Sequence, residues 1–179
     1  MKKNIFAIIG SAGKNSANLK LVKQIAEQTK NDFDFTIFDQ LSGLPHFNPE
    51  LSIEKTPQEV LNFRMSIEKS DAILICTPEY IFSIPSGLKN AIEWCVSTII
   101  FSGKPTGIIT ASASGQKGHE ELQLIMKTIE ANFTDETAWL IRGIKGKINE
   151  HGIITDVKTK NEIVNFINGF KKLIESNLH

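Results

Sequence analysis

Three short runs, Asn4 to Ile9, Ala72 to Cys76 and Thr106 to Ala111, are apolar along nearly their whole length and end at small or turn-forming residues. A strand that shows one face to water alternates in polarity, whereas a run that does not alternate reads as a strand buried on both faces. Such strands are typical of parallel sheets covered by helices on two sides. Phe33 to Phe38 does alternate, with Phe33, Phe35 and Ile37 on one side and Asp34 and Thr36 on the other, and so predicts an edge strand. Helix-period segments fill the intervals. Ser16 to Lys30 places Leu19, Val22, Ile25 and Ala26 on one face. Thr56 to Lys69 opens with Thr56 as the expected N-cap, Pro57 at the first helical position and Glu59 completing a capping box. Ser86 to Thr98, Gly118 to Ala131 and Thr159 to Glu175 follow, and Ala138 to Ile144 is the expected fifth strand, trailed by a polar excursion through Gly146 to Gly152. Alternating strands and helices with right-handed crossovers predict an α/β, doubly wound, five-stranded parallel sheet of order 2-1-3-4-5 with helices on both faces. No repeat, low-complexity stretch or linker breaks the 179 residues, so a single domain spanning 1–179 is expected.

Loops that leave the carboxyl ends of strands one, three and four of such a sheet converge where the winding reverses. The chain places its unusual residues there. Gly10 to Asn18 runs from a buried strand into a helix and is rich in hydroxyls, an amide and glycine. Free N–H groups at that helix start would hold a phosphate, with Ser11, Ser16 and Asn18 as side-chain donors, Ala17 in the first turn and Lys14 as a point charge. Ser16 equally suits a plain helix cap. The loop fits neither nucleotide fingerprint: Ile8 and Asn15 break G-x-x-x-x-G-K-[ST], and Ala12 breaks G-x-G-x-x-G. Thr77 to Ser86 is stiffened by Pro78 and Pro85 and carries Tyr80 and Phe82, flat surfaces suited to a planar ring. Ser112 to Gly118 is small and glycine-containing, which permits close backbone approach, and Gln116 both donates and accepts.

Composition narrows the partners. Lys plus Arg and Asp plus Glu each number 20, so no global basic field favours nucleic acid or an anionic membrane. The apolar runs fall far short of the roughly 20 residues of a membrane span, and the run after Met1-Lys2-Lys3 is shorter than a signal-peptide core of about 7 to 15. A cytoplasmic protein is expected. Cys76 and Cys95 lack redox or zinc spacing and read as small core residues, and the four histidines show no metal-ligand spacing. His119, at the start of a helix, is expected to cap it at the surface. Neither Ser86 nor Ser114 sits in G-x-S-x-G, which sets serine hydrolysis aside. A receiver domain needs carboxylates where this chain has Gly10-Ser11 and Cys76-Thr77.

Two segments carry a resemblance. Gly10, Ser11, Ser16 and Asn18 match G-S-x-R-x-x-S-x-N, with Gly13 in place of the arginine and Lys14 beside it. Thr77-Pro78-Glu79-Tyr80, Ser83, Pro85 and Leu88 to Trp94 match T-P-E-Y-N-x-S-x-P-G-x-L-K-N-A-[IL]-[DE]-W, departing at Ile81 and Ser86. The segment Leu44 to Leu51 agrees as well. The chain therefore resembles the NAD(P)H-dependent FMN reductase family, the flavodoxin-like group of quinone, chromate and azo-dye reductases. The resemblance implies FMN with its phosphate on the first loop, its isoalloxazine against Pro78, Glu79, Tyr80 and Ile81, and its pyrimidine edge near Ser112, Ser114, Gly115 and Gln116. It also implies NADPH or NADH as co-substrate, and a ping-pong transfer of two electrons to a quinone-like or other small acceptor with no dedicated acid or base. Glu79 is expected to orient backbone. The alternative is an FMN-binding electron carrier without efficient turnover; carriers are usually strongly acidic, and this chain is neutral. Relatives form dimers or tetramers, and Trp94, Val96 and Ile99-Ile100-Phe101, with Tyr80 and Phe82, are expected as apolar surface for a homodimer or homotetramer.

Overall fold

The computed structural model describes residues 2–13, 15–150 and 152–177. Five strands, β1 (Lys3–Ile9), β2 (Phe33–Phe38), β3 (Ala72–Thr77), β4 (Thr106–Ser112) and β5 (Ala138–Arg142), form one sheet of order β2-β1-β3-β4-β5. Every neighbouring pair is parallel. The expected winding and edge strand are both present. Five α-helices alternate with the strands: α1 (Ala17–Gln28), α2 (Gln58–Lys69), α3 (Ser86–Glu93), α4 (Gln116–Thr128) and α5 (Val157–Ser176).

The period-2 geometry of the strands divides the core into two layers. Ile5, Ala7 and Ile9 of β1 face α1 and α5, where Leu21, Ile25, Phe166 and Phe170 are buried. Phe6 and Ile8 face the other way, against Val60, Phe63 and Ile67 of α2 and Leu88 and Ala91 of α3. Cys76 and Cys95 are buried as expected; burial pushes the Cys95 thiol up to about 12, against a smaller lowering by Arg64, and pushes Cys76 up further. Among the described residues no helix is long and apolar enough to cross a membrane.

Three expectations are corrected. The N-cap of α2 is Pro57, without a side-chain capping bond, because the Thr56 hydroxyl donates to the Leu51 carbonyl and accepts from Arg64. Helix α3 ends at Glu93 rather than Thr98. The Trp94 carbonyl, which a continuing helix would offer to the amide of residue 98, accepts instead from Arg64 Nε at 2.8 Å, and the Thr98 amide turns to Cys95. Trp94 and Phe101 are not surplus surface: both are buried in the chain's own core, Trp94 edge-on to Phe47 at 5.3 Å with its indole N–H donating to the Pro45 carbonyl at 2.7 Å. Ile99 does remain 86% exposed, and Val96 is exposed as well.

Candidate functional site

Ile9 stands level with Cys76, and Thr77 with Thr110, so β1, β3 and β4 deliver their loops to one edge of the sheet. A cleft of about 680 Å³ opens there, within the range of roughly 300 to 1,000 Å³ common for small-molecule sites. Ser11, Ser16, Ala17 and Asn18 line one end, and Pro78, Tyr80 and Ser112 the other. Close packing positions the first loop. A Cβ on Gly10 would lie 2.2 Å from Thr77 Oγ1, so only glycine lets β1 run into the loop against β3. The Ser16 hydroxyl accepts from the Leu19 amide at 3.1 Å and is the N-cap of α1. Asn18 is buried under the loop, with its Oδ1 accepting from the Cys76 thiol at 3.3 Å. Its Nδ2 is therefore the end with no partner among the described residues, a donor at the floor of the cleft. Lys14 lies outside the described residues.

The second loop turns on two residues in the left-handed region, Ile81 at φ 51° and Phe82 at φ 58°. Tyr80 and Ser83 exchange both backbone hydrogen bonds across them, at 2.9 and 3.0 Å, which is a two-residue hairpin turn of the primed type. Their side chains point out, Ile81 96% and Phe82 76% exposed, while Tyr80 is 46% exposed at the rim of the cleft. Two carboxylates clamp this loop. Glu79 accepts from the Gly115 amide at 3.1 Å and the Gly118 amide at 2.8 Å, tying the second loop to the third and to the start of α4. Glu121 of α4 reaches back, accepting from the Ser83 hydroxyl at 2.6 Å and the Ile84 amide at 2.9 Å. The backbone-orienting role expected of Glu79 is what its geometry shows.

The third loop contributes less than expected to the cavity. Ser112 and Ala113 line it, but Ser114, Gly115 and Gln116 do not. Gly115 is left-handed at φ 86° and serves as the N-cap of α4, and the Gln116 side chain is occupied by Arg142 and Glu120. Glu79 and Ile81 also lie off the lining, the first because both oxygens face the third loop, the second because its side chain points to solvent. His119 is not a surface cap. It is buried, its Nδ1 2.9 Å from Thr110 Oγ1, because the first turn of α4 lies directly over β4. Burial pushes its pKa below the usual imidazole range, with Glu120 opposing in part.

Two features escape the sequence reading. Glu121 carries no local signal, since its partners lie 37 and 38 residues away. The turn after β5, Gly143 to Gly146, forms a further wall of the cleft. Its signal is present: two glycines close to the carboxyl end of a strand, the edge where open α/β sheets bind ligands. Among the described residues no group of three or more His, Cys, Asp or Glu could hold a metal ion. The donors suit a phosphorylated, planar cofactor, with hydroxyls, an amide nitrogen and a helix start at one end and a proline-tyrosine platform at the other.

The similarities to known proteins agree with this geometry. Residues 3–144 match the model of the NADPH-dependent FMN reductase family. A 2-hydroxy-1,4-benzoquinone reductase from Burkholderia is 26% identical over 95% of each chain. A quinone reductase from Pseudomonas putida is 33% identical over 61% of this chain and 60% of its own length, so this chain spans less than two thirds of that relative. Among solved structures, the flavoenzyme NAD(P)H:(acceptor) oxidoreductase from Paracoccus denitrificans superimposes with a TM-score of 0.81 at 27% identity, covering 98% of both chains. With the family model spanning all five strands and the loops that follow β1, β3 and β4, the chain belongs to the NADPH-dependent FMN reductase family, a family of flavin-using oxidoreductases.

Proposed function

We propose that the protein is an FMN-dependent NAD(P)H oxidoreductase of the quinone reductase type. The observation that carries this reading is the cleft with a helix start at one end and a clamped aromatic loop at the other. Bound FMN supplies the two-electron chemistry. The chain's part is positioning. Ser11 and Ser16, the Asn18 Nδ2 and the first-turn N–H groups around Ala17 hold the phosphate, with Lys14 adding charge. Pro78 and Tyr80 lie against the ring, Ile81 offers its backbone N–H, and Ser112 borders the pyrimidine side. Glu79 and Gly115 act by fixing the second and third loops to each other, and Gln116 by holding Arg142 beside them. NADPH or NADH and a quinone-like acceptor use the Tyr80 rim in turn, a ping-pong order. Relatives named quinone reductase support the acceptor class.

Apoprotein mixed with FMN and desalted should retain one flavin per chain by absorption. Steady-state oxidation of NADPH, stimulated by a quinone with parallel double-reciprocal lines, supports the reaction and its order. Retained FMN without quinone-stimulated turnover would instead make the chain an electron carrier. Exposure of Ile81 and Phe82 at the tip of the second loop supports a homodimer or homotetramer joined there. Phe82→Asp should lower the mass seen by light scattering; a wild-type mass of one chain at all concentrations would reject assembly.

A further inference from the structure

The FMN phosphate carries close to two negative charges, and the described part of the first loop offers it hydroxyls, an amide and backbone N–H groups but no cation. The chain has only two arginines, and both are engaged elsewhere: Arg64 at the Trp94 and Ser52 carbonyls, and Arg142 at Gln116 Oε1. The remaining cations are lysines, among them Lys14 of the first loop, which lies outside the described residues. Lys20 points away from the main cleft, its Nζ donating to the Glu150 carbonyl at 2.7 Å. Lys145 is placed differently. It lines the main cleft together with Asn15, Ser16 and Ala17, and the same four residues line a second depression of about 350 Å³ on the outer side of the α1 start. Lys145 thus stands at the junction of the two hollows, at the phosphate end. It forms no hydrogen bond or ion pair among the described residues, so its charge is uncommitted.

The backbone that carries Lys145 is fixed. Ile144, on its amino side, is buried in the core beneath α1 and α5. Gly143, left-handed at φ 66°, donates its amide to the Ser112 carbonyl at 2.8 Å and the Ala113 carbonyl at 3.1 Å, which fastens the turn to the third loop. The Gly146 and Lys147 amides close the turn onto Gly143 and Ile144 at 3.0 Å each. A lysine on a pinned turn pays less ordering entropy on meeting an anion than one on a loose loop.

We propose that Lys145, from the turn after β5, is the cationic anchor of the FMN phosphate, taking the charge role that an arginine in the first loop would otherwise fill. This rests on the placement of the phosphate at the start of α1 proposed above. Flavin fluorescence titrations of apoprotein with FMN and with riboflavin, which lacks the phosphate, separate the two ideas. Lys145→Ala should weaken FMN binding by about tenfold or more, as for loss of a charge-assisted hydrogen bond, while riboflavin binding changes less than about twofold. Lys145→Arg should restore FMN binding, and added salt should narrow the gap between FMN and riboflavin in the wild type more than in Lys145→Ala. A wild type that prefers FMN and a Lys145→Ala variant with the same preference would overturn the role of Lys145 and leave the phosphate placement standing. Lys14→Ala abolishing the preference alone would point to the same conclusion. Equal losses for both flavins would make Lys145 merely structural, and a wild type indifferent to the phosphate would remove the placement itself.

Discussion

The two ends of the cleft are held by different means. The second loop is fastened across the fold: Glu79 and Glu121 accept two hydrogen bonds each from the other side of the loop pair, all between 2.6 and 3.1 Å. The first loop is held from below and from within. Gly10 packs on Thr77 and donates its amide to the Cys76 carbonyl at 2.8 Å, the Cys76 thiol donates to Asn18 Oδ1 at 3.3 Å, and the other bonds of the described loop are local, Gly13 to Ser11 Oγ at 3.5 Å and Ser16 to the Gly13 carbonyl at 3.2 Å. A planar ring needs a platform whose shape exists before it arrives, and charge-assisted bonds supply one. A phosphate brings its own acceptors and can complete a set of donors that are otherwise unpaired. In the proposed binding mode the platform is thus preformed by the protein, whereas the anion end is finished by the ligand.

The strongest way to break this contrast is to remove the clamp. Glu79→Ala leaves the Gly115 and Gly118 amides without their acceptor and should cost about 3 kcal/mol, as expected when bonds to a charged group are lost with their donors part-buried. Urea unfolding would measure it, and riboflavin affinity should fall with it. A loss below about 1 kcal/mol would mean that water replaces the carboxylate and that the platform is not clamped. Next in size is Gly10→Ala. Its Cβ would press on Thr77 Oγ1 and Cβ, both in a closed core, for a cost of about 2 kcal/mol. Because the strain sits under the first loop, the FMN-to-riboflavin preference should shrink, where Glu79→Ala leaves it intact. The same shift in both variants would erase the distinction between the two ends.

Much of this contrast is readable in the sequence, and its limits have a physical cause. Apolar periodicity reports which face of an element avoids water, so β1, β3 and β4 and the convergence of their loops follow from the runs at Asn4, Ala72 and Thr106. It does not report what covers that face. Trp94 and Phe101 therefore read as surplus surface, although the 45–47 segment and the Arg64 bonds close over the end of α3. Motif spacing singled out Pro78 and Tyr80, which line the cleft, while the bonds of Glu121 and the position of Lys145 beside the start of α1 join distant elements that no local pattern encodes. Ile81 shows the two levels together. The family pattern places asparagine there, and the structure supplies the reason: φ is positive, which asparagine tolerates and a β-branched side chain does not. Ile81→Asn should accordingly stabilise the protein by about 1 kcal/mol, seen as a higher urea midpoint with an unchanged slope. A lower midpoint would mean that exposed Ile81 is buried against something in solution, such as a second subunit.

The smallest expected effect tests the clamped end from beneath. His119 lies under the third loop with its Nδ1 against Thr110 Oγ1, and burial, opposed in part by Glu120, lowers its pKa from 6.5. The folded chain then binds fewer protons at this site than the unfolded chain in the window between the lowered folded-state pKa and 6.5. The sign follows from linkage: the contribution of neutral His119 is complete above about pH 6.5 and declines as the pH falls toward the lowered folded-state pKa. Carboxylates also titrate on the acid side, so the comparison must be between chains. His119→Gln retains an amide that can pair with Thr110 and carries no proton to gain. Between pH 7.5 and 5.5 the urea midpoint of the wild type should therefore drop further than that of His119→Gln. Riboflavin affinity, free of a phosphate that itself titrates, should follow the same order, because protonation disturbs the start of α4, where Glu79 anchors the platform. Parallel pH profiles for the two chains would show that His119 takes up its proton as readily in the folded chain as in the unfolded one, and that burial at the floor of the clamp does not hold it neutral.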